Sequence, residues 1–171
     1  VLNKSGPASA EVRERVEMAA RELGFSFSAL GRALQGGRSM TIGCLVPSLA
    51  NPVFAEAVQG VQETLKGTGY QLLIASSNYD GEADNEAIAT LAAKEVDGLI
   101  LTMVAPERSA ALKQARQRGL PVSLMFHDPI DGFLTAHVDN FEAAREVARQ
   151  FADHGHRHTA FLALRFSTSD R

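Results

Sequence analysis

"TIGCLVPSLANPVFAEAVQGVQETLKGTGYQLLIASSN", residues 41–78, decides the fold. It opens on an apolar run, Thr41–Val46, stopped by Pro47, and residues 70–75 (YQLLIA) form a second such run. Between them, residues 53–67 place apolar side chains at helical spacing. Strand, crossover helix and strand make a βαβ unit, whose two strands must lie parallel.

The same alternation continues downstream. Strands are expected at 98–102 (GLILT), 121–126 (PVSLMF), 135–138 (TAHV) and 159–164 (TAFLAL), with helices at 82–94, 107–118 and 140–153. Strands that are apolar throughout belong to a parallel sheet covered on both faces. Right-handed crossovers then give an α/β fold, a doubly wound layer that binds ligands beyond the carboxyl ends of its strands. Those ends carry Pro47-Ser-Leu-Ala-Asn-Pro52, Ser76-Ser-Asn-Tyr-Asp80, Met103-Val-Ala-Pro106 and His127-Asp-Pro129, rich in small polar and turn residues.

Upstream the pattern is helical. Residues 8–23 align Val12, Val16, Ala19, Ala20 and Leu23 on one face, with Ser9 as N-cap and Gly24 as C-cap. Residues 28–39, "SALGRALQGGRS", set Leu30 and Leu34 one turn apart and end at Gly36-Gly37. A helix this short is unstable alone in water and needs something to order it.

With 171 residues, 45% hydrophobic and 22% charged, the chain can bury one sizeable core and carry a small appendage. Six of the 17 basic residues but only four of the 20 acidic ones lie in residues 1–40, so a mildly basic head precedes an acidic body. That balance is compatible with a nucleic-acid contact at one end. No apolar run approaches the ~18 residues of a membrane span. The single cysteine, Cys44, excludes an intrachain disulfide and fits a cytoplasmic protein with a buried thiol. The chain starts at Val1 rather than at methionine and stops just past an apolar run, as if cut from a longer protein at both ends.

Several chemistries find no support. A dinucleotide site needs a glycine-rich turn after the first strand, but SLANPVF contains no glycine. A Walker loop is missing, as are the clustered carboxylates of a phospho-receiver. His154, His156 and His158 straddle Gly155 at a helix-to-strand junction, which suits capping and surface roles better than metal. His127-Asp128 lacks a nucleophile to complete a catalytic set. The expectation is a non-enzyme without cofactor or metal.

A series of short motifs then becomes informative through its order. Val1-Leu-Asn3 precedes Ser9-Ala-Glu-Val-Arg-Glu-Arg-Val16, and Glu22-Leu-Gly-Phe25 and Ala29-Leu-Gly-Arg-Ala-Leu34 follow. Next come Arg38-Ser-x-Thr-Ile-Gly43, Asn51-Pro52, Val96-Asp-Gly-Leu-Ile100, Gly119-Leu-Pro-Val122, Val138-Asp-Asn140 and His154-Gly-His-Arg157. Over essentially the whole chain this resembles the lactose-repressor (LacI/GalR) family of transcription regulators. The resemblance implies a helix-turn-helix head joined to a two-lobed, sugar-binding core of the type I periplasmic-binding-protein kind. Residues 1–27 would then be the end of the head, residues 28–39 the hinge, and residues 40–171 the first lobe, with the second lobe absent.

The resemblance also assigns roles. Hinge helices of two subunits would pair in the minor groove of operator DNA, with Leu34 as the wedge between base pairs and Leu30 against the partner helix. Arg32 would touch a phosphate or groove edge, and Asn3 would keep a contact of the recognition helix. Gly31, where the family has alanine, costs about 1 kcal/mol of helix stability, so that folding awaits DNA. Ser48, Asn51, Val53, Phe54, Asn78, His127 and Asp139 would face a small-molecule effector. Phe126-His127 stands where the family commonly has Asp-Arg, which implies a more apolar or less hydroxylated ligand. Core packing remains open for Phe54, and helix capping for Asp139-Asn140. The competing function is a periplasmic-type sugar receptor without DNA binding.

Overall fold

A computed structural model describes residues 9–23, 38–160 and 162. The chain divides into two units, residues 1–39 and 40–171. In the first, helix α1 (Ala10–Glu22) starts at Ser9, whose Oγ accepts the Val12 N–H at 3.3 Å, and ends at Leu23. Gly24, Asn3 and the expected hinge residues Leu30, Gly31, Arg32 and Leu34 lie outside the described residues.

The second unit begins where the Asp97 carboxylate accepts the Met40 N–H at 2.9 Å. Its elements are β1 (Thr41–Val46), α2 (Pro52–Leu65), β2 (Gln71–Ser76), α3 (Gly81–Ala93) and β3 (Gly98–Leu101), then α4 (Ala110–Gln117), β4 (Val122–Met125), β5 (Leu134–Ala136) and α5 (Asn140–Asp153). All strand pairs are parallel, in the order β2-β1-β3-β4-β5. This is the doubly wound α/β layer that the crossover pattern predicts. In that order the chain reverses direction across the sheet between β1 and β3, which places the ligand crevice at their carboxyl ends.

Strand alternation sends successive side chains to opposite faces, and two cores result. On one face Leu45, Leu99, Leu101 and Leu124 pack with Ile88 and Leu91 of α3 and Leu112 of α4. On the other, Cys44 and Val46 pack with Val58 and Phe54 of α2, Ile100 and Met125. Burial pushes the Cys44 thiol up to about 11, so it is an inert core group. Gly43 sits where a side chain does not fit, because an added Cβ would lie 2.8 Å from Leu99 Cδ2.

Some expected boundaries move. Residues 107–118 are not one helix: a 3₁₀ turn at Pro106–Arg108 precedes α4, whose N-cap is Ser109. The reason is tertiary, since Asn85 Oδ1 accepts both the Ser109 hydroxyl and the Ala111 N–H. β5 starts one residue early and stops at Ala136 rather than at Val138. Of the strand expected at 159–164, Thr159 and Ala160 carry no strand, and most of the remainder lies outside the described residues. Helix α5 is strongly two-faced, and Phe141, Val147 and Phe151 on it are exposed.

Candidate ligand-binding site

The loop after β1 is closed by its own polar side chains. Ser48 Oγ accepts the Ala50 N–H at 3.2 Å. Asn51 caps α2, its Oδ1 accepting the Val53 N–H at 3.1 Å, while its Nδ2 donates to Tyr79 Oη at 3.4 Å. Pro52 takes the first helical position, where its missing N–H costs nothing. This fixes the first turn of α2 and sets Phe54 on the crevice side of the Cys44 core.

Two further rings meet Phe54 from other strand ends. Phe126, just past β4, makes an edge contact at 5.4 Å and 85°, and Tyr79, past β2, lies at 6.3 Å and 59°. Both rings are partly exposed, 38% for Phe126 and 52% for Tyr79. Their backbones are left-handed, with φ of +61° and +62°. Bulky side chains rarely adopt this region, and it costs about 1–3 kcal/mol per residue where the surroundings enforce it. Asn78 shares the left-handed backbone at +53°, which asparagine tolerates better. Left-handed backbone at Tyr79 and Phe126 thus accompanies the approach of both rings to Phe54.

Buried polar atoms flank the same edge. Ser77, Asp84 and Thr102 are buried to 3%, 0% and 7% exposure, and Ser77 Oγ, Asp84 Oδ1 and Thr102 Oγ1 have no protein partner. The other Asp84 oxygen accepts the Val104 N–H at 2.6 Å and pins the loop after β3. Thr102 stands two residues beyond Ile100, which belongs to the core of Phe54, and its N–H continues the ladder to Leu45 O. Alternation thus places its hydroxyl on the Phe54 face.

His127 is half-buried, and its Nε2 accepts the Met103 N–H at 3.4 Å, which requires an unprotonated nitrogen. Burial lowers its pKa below the ordinary histidine value, against the pull of Glu107, Asp128 and Asp84. The stability it contributes is therefore present above the unfolded pKa, about 6.5, and is lost as pH falls from there toward the folded value. Urea midpoints measured at pH 7 and pH 5 are expected to differ less for His127→Asn than for the parent chain. An equal difference would show that His127 does not titrate across folding.

The structure thus brings Asn51 and Phe54 together with two residues absent from the expected set, Tyr79 and Phe126, and adds Thr102. Val53 is exposed beside Phe54 on α2. Asp139 turns to its own helix: its Oδ1 accepts the Glu142 N–H at 2.8 Å and caps α5. At the far end of α5, His154 Nδ1 lies 2.8 Å from Gln150 O and His156 packs its ring on Phe151, as C-terminal residues of a helix do. Among the described residues, no helix is long and apolar enough to cross a membrane.

Aromatic side chains and a buried hydroxyl thus gather at the reversal point of a parallel sheet, where folds of this class bind ligands. Residues 39–171 match the family model described as periplasmic binding proteins and sugar binding domain of LacI family. The chain belongs to that family, and its curated relatives are named as transcriptional regulators and repressors. It is 35% identical over 168 residues to the HTH-type transcriptional regulator GntR of Escherichia coli (strain K12), covering 96% of this chain and 50% of that protein. It is 32% identical over 163 residues to the ribose operon repressor of the same organism, covering 95% and 49%. Among solved structures, a LacI-family transcriptional regulator from Silicibacter pomeroyi superposes with a TM-score of 0.76 at 26% identity, over 90% of this chain and 46% of that one. The chain spans about half the length of the curated relatives it matches.

Proposed function

We propose that the chain is part of a homodimeric, cytoplasmic DNA-binding transcription regulator, a repressor whose grip on its operator is set by a small-molecule effector. The observation that carries this reading is the three-ring crevice on a lobe of the LacI sugar-binding type. The relatives, which are transcriptional regulators, support the regulator over a receptor without DNA function and over an enzyme. Residues 40–171 are the effector lobe, residues 28–39 the hinge and residues 1–27 the end of the DNA-binding head. The effector contacts are Phe54, Asn51, Val53, Ser48, Asn78, His127 and Asp139, together with Tyr79, Phe126 and Thr102.

Leu34, with Leu30, Gly31 and Arg32, forms the hinge helix that enters the minor groove beside the contact of Asn3. A hinge that is marginal on its own is ordered by DNA, and effector binding shifts that equilibrium by altering the spacing of the paired hinges. An inserted leucine exchanges unstacking for a bend that enlarges the interface. In the protein carrying this chain with its complete head and core, Leu34→Ala is expected to weaken operator binding about tenfold or more and to reduce the bend. Fluorescence anisotropy and a circular-permutation bending assay check this. Unchanged affinity and bend would rule out the wedge.

A further inference from the structure

We infer, on the basis of that reading, that Asp97 is a positioning residue for the effector response. Its carboxylate clamps Met40, the first residue of the lobe, so that the chain leaves the sheet in one fixed direction. A change in the lobe is thereby passed to the segment before it rather than absorbed at the joint. The boundary between the two units falls at Ser39 and Met40, directly beside this contact.

Met40 is held at both of its backbone polar atoms. Its N–H donates to Asp97 Oδ2 at 2.9 Å, across 57 residues of chain, and its carbonyl accepts the Gln71 N–H at 2.8 Å. Next to it, Thr41 O accepts the Asp97 N–H at 2.8 Å, so Asp97 grips the entry to β1 with backbone and side chain together. The Met40 backbone is left-handed, φ +54°, a region where methionine stays only if its surroundings hold it. Its side chain lies against the turn before β2, with Cε 3.4 Å from where a Cβ at Gly69 would be. A half-buried N–H at such a turn needs a partner, and Asp97 supplies it. Asp97 is itself fixed. Glu95 before it is left-handed at +55°, Val96 and Gly98 on either side are buried, and a Cβ at Gly98 would lie 3.5 Å from Pro121 O.

Clamp and crevice lie at opposite ends of one strand. Met40 precedes β1 and the loop of Ser48 and Asn51 follows it, and a strand of six residues spans about 20 Å. Loss of the clamp therefore leaves the crevice standing. A paired strand is stiff along its length, whereas rotation about the backbone of an unclamped Met40 would take up a displacement instead of transmitting it.

The test uses the complete protein, with D-ribose, D-glucose, D-galactose, adenosine and guanosine screened by thermal shift and the tightest binder taken forward. Isothermal titration gives its dissociation constant, and fluorescence anisotropy gives the fold change in operator affinity that it causes. The parent is expected to show a change of at least tenfold. Asp97→Ala is expected to bind the probe within twofold of the parent yet to show a change below threefold. Asp97→Asn keeps an acceptor oxygen for the Met40 N–H and is expected to restore the change to within twofold of the parent. A glycine inserted between Ser39 and Met40 leaves every bond of the clamp in place but frees the chain ahead of it. It is expected to lose the change as Asp97→Ala does, and it carries the test should Asp97→Ala not fold. A parental fold change in Asp97→Ala or in the insertion variant overturns the inference alone. So does a folded Asp97→Ala that loses probe binding in step with the operator response, since Asp97 would then only support the lobe. A parent whose operator affinity ignores the bound probe overturns the regulatory reading and this inference with it.

Discussion

Ile88→Ala is expected to lower the stability of the lobe by about 2–5 kcal/mol, the range for deleting a buried aliphatic side chain from a packed core. Ile88 is fully buried on α3, in the core formed with Leu45, Leu99 and Leu101 of the two central strands. The cavity would open between α3 and the strands whose carboxyl ends make the crevice, so little relaxation is available to fill it. Against a typical total stability of about 5–15 kcal/mol, this is a large fraction. Urea unfolding of the 171-residue chain, parent against variant, checks it. A loss under about 1 kcal/mol would mean that α3 does not pack over the sheet as described.

Phe54→Ala is expected to weaken effector binding by about 2 kcal/mol or more, roughly thirtyfold, as for other central aromatic anchors. Its ring is the one that both Phe126 and Tyr79 contact, so its removal dissolves the platform rather than one edge of it. The side chain also packs beside Cys44, Val46 and Val58. Phe54→Leu keeps that apolar filling and removes the ring face. It is expected to retain near-parental stability yet still bind at least tenfold more weakly. If Phe54→Leu bound like the parent, Phe54 would be a core residue alone.

The fold was largely legible because its signal is local. β1 falls at Thr41–Val46 as its apolar run predicts, since Pro47 interrupts that run at the point where the ladder ends. Helices α2, α3 and α5 begin beside Asn51, Asp80 and Asp139, caps whose chemistry is written in the residue itself. The start of α4 was not legible in this way. Pro106-Glu-Arg108 has the composition of a helical first turn, and only the approach of Asn85 from α3 selects Ser109 as the cap.

The site divides along the same line. Phe54 and Asn51 could be read from their place after β1. Phe126 could be placed near the ligand only through the resemblance, and Tyr79 not at all, because a left-handed backbone at a bulky aromatic has no sequence signature, and it is this backbone that turns their rings. Thr102 ends a strand-like run, GLILT, and looks like one more strand residue until the buried hydroxyl is found without a partner. Asp139 was open to two readings, ligand contact or cap, and the bond to Glu142 N–H shows that the cap is made.

The most direct measurement is operator affinity of the complete protein, titrated with the tightest binder from a thermal-shift screen of sugars and purines, for the parent and for Phe54→Leu. The account predicts that the probe shifts parental operator affinity at least tenfold and that Phe54→Leu needs at least ten times more probe for the same shift. A probe that saturates the parent crevice while operator affinity stays constant would contradict it.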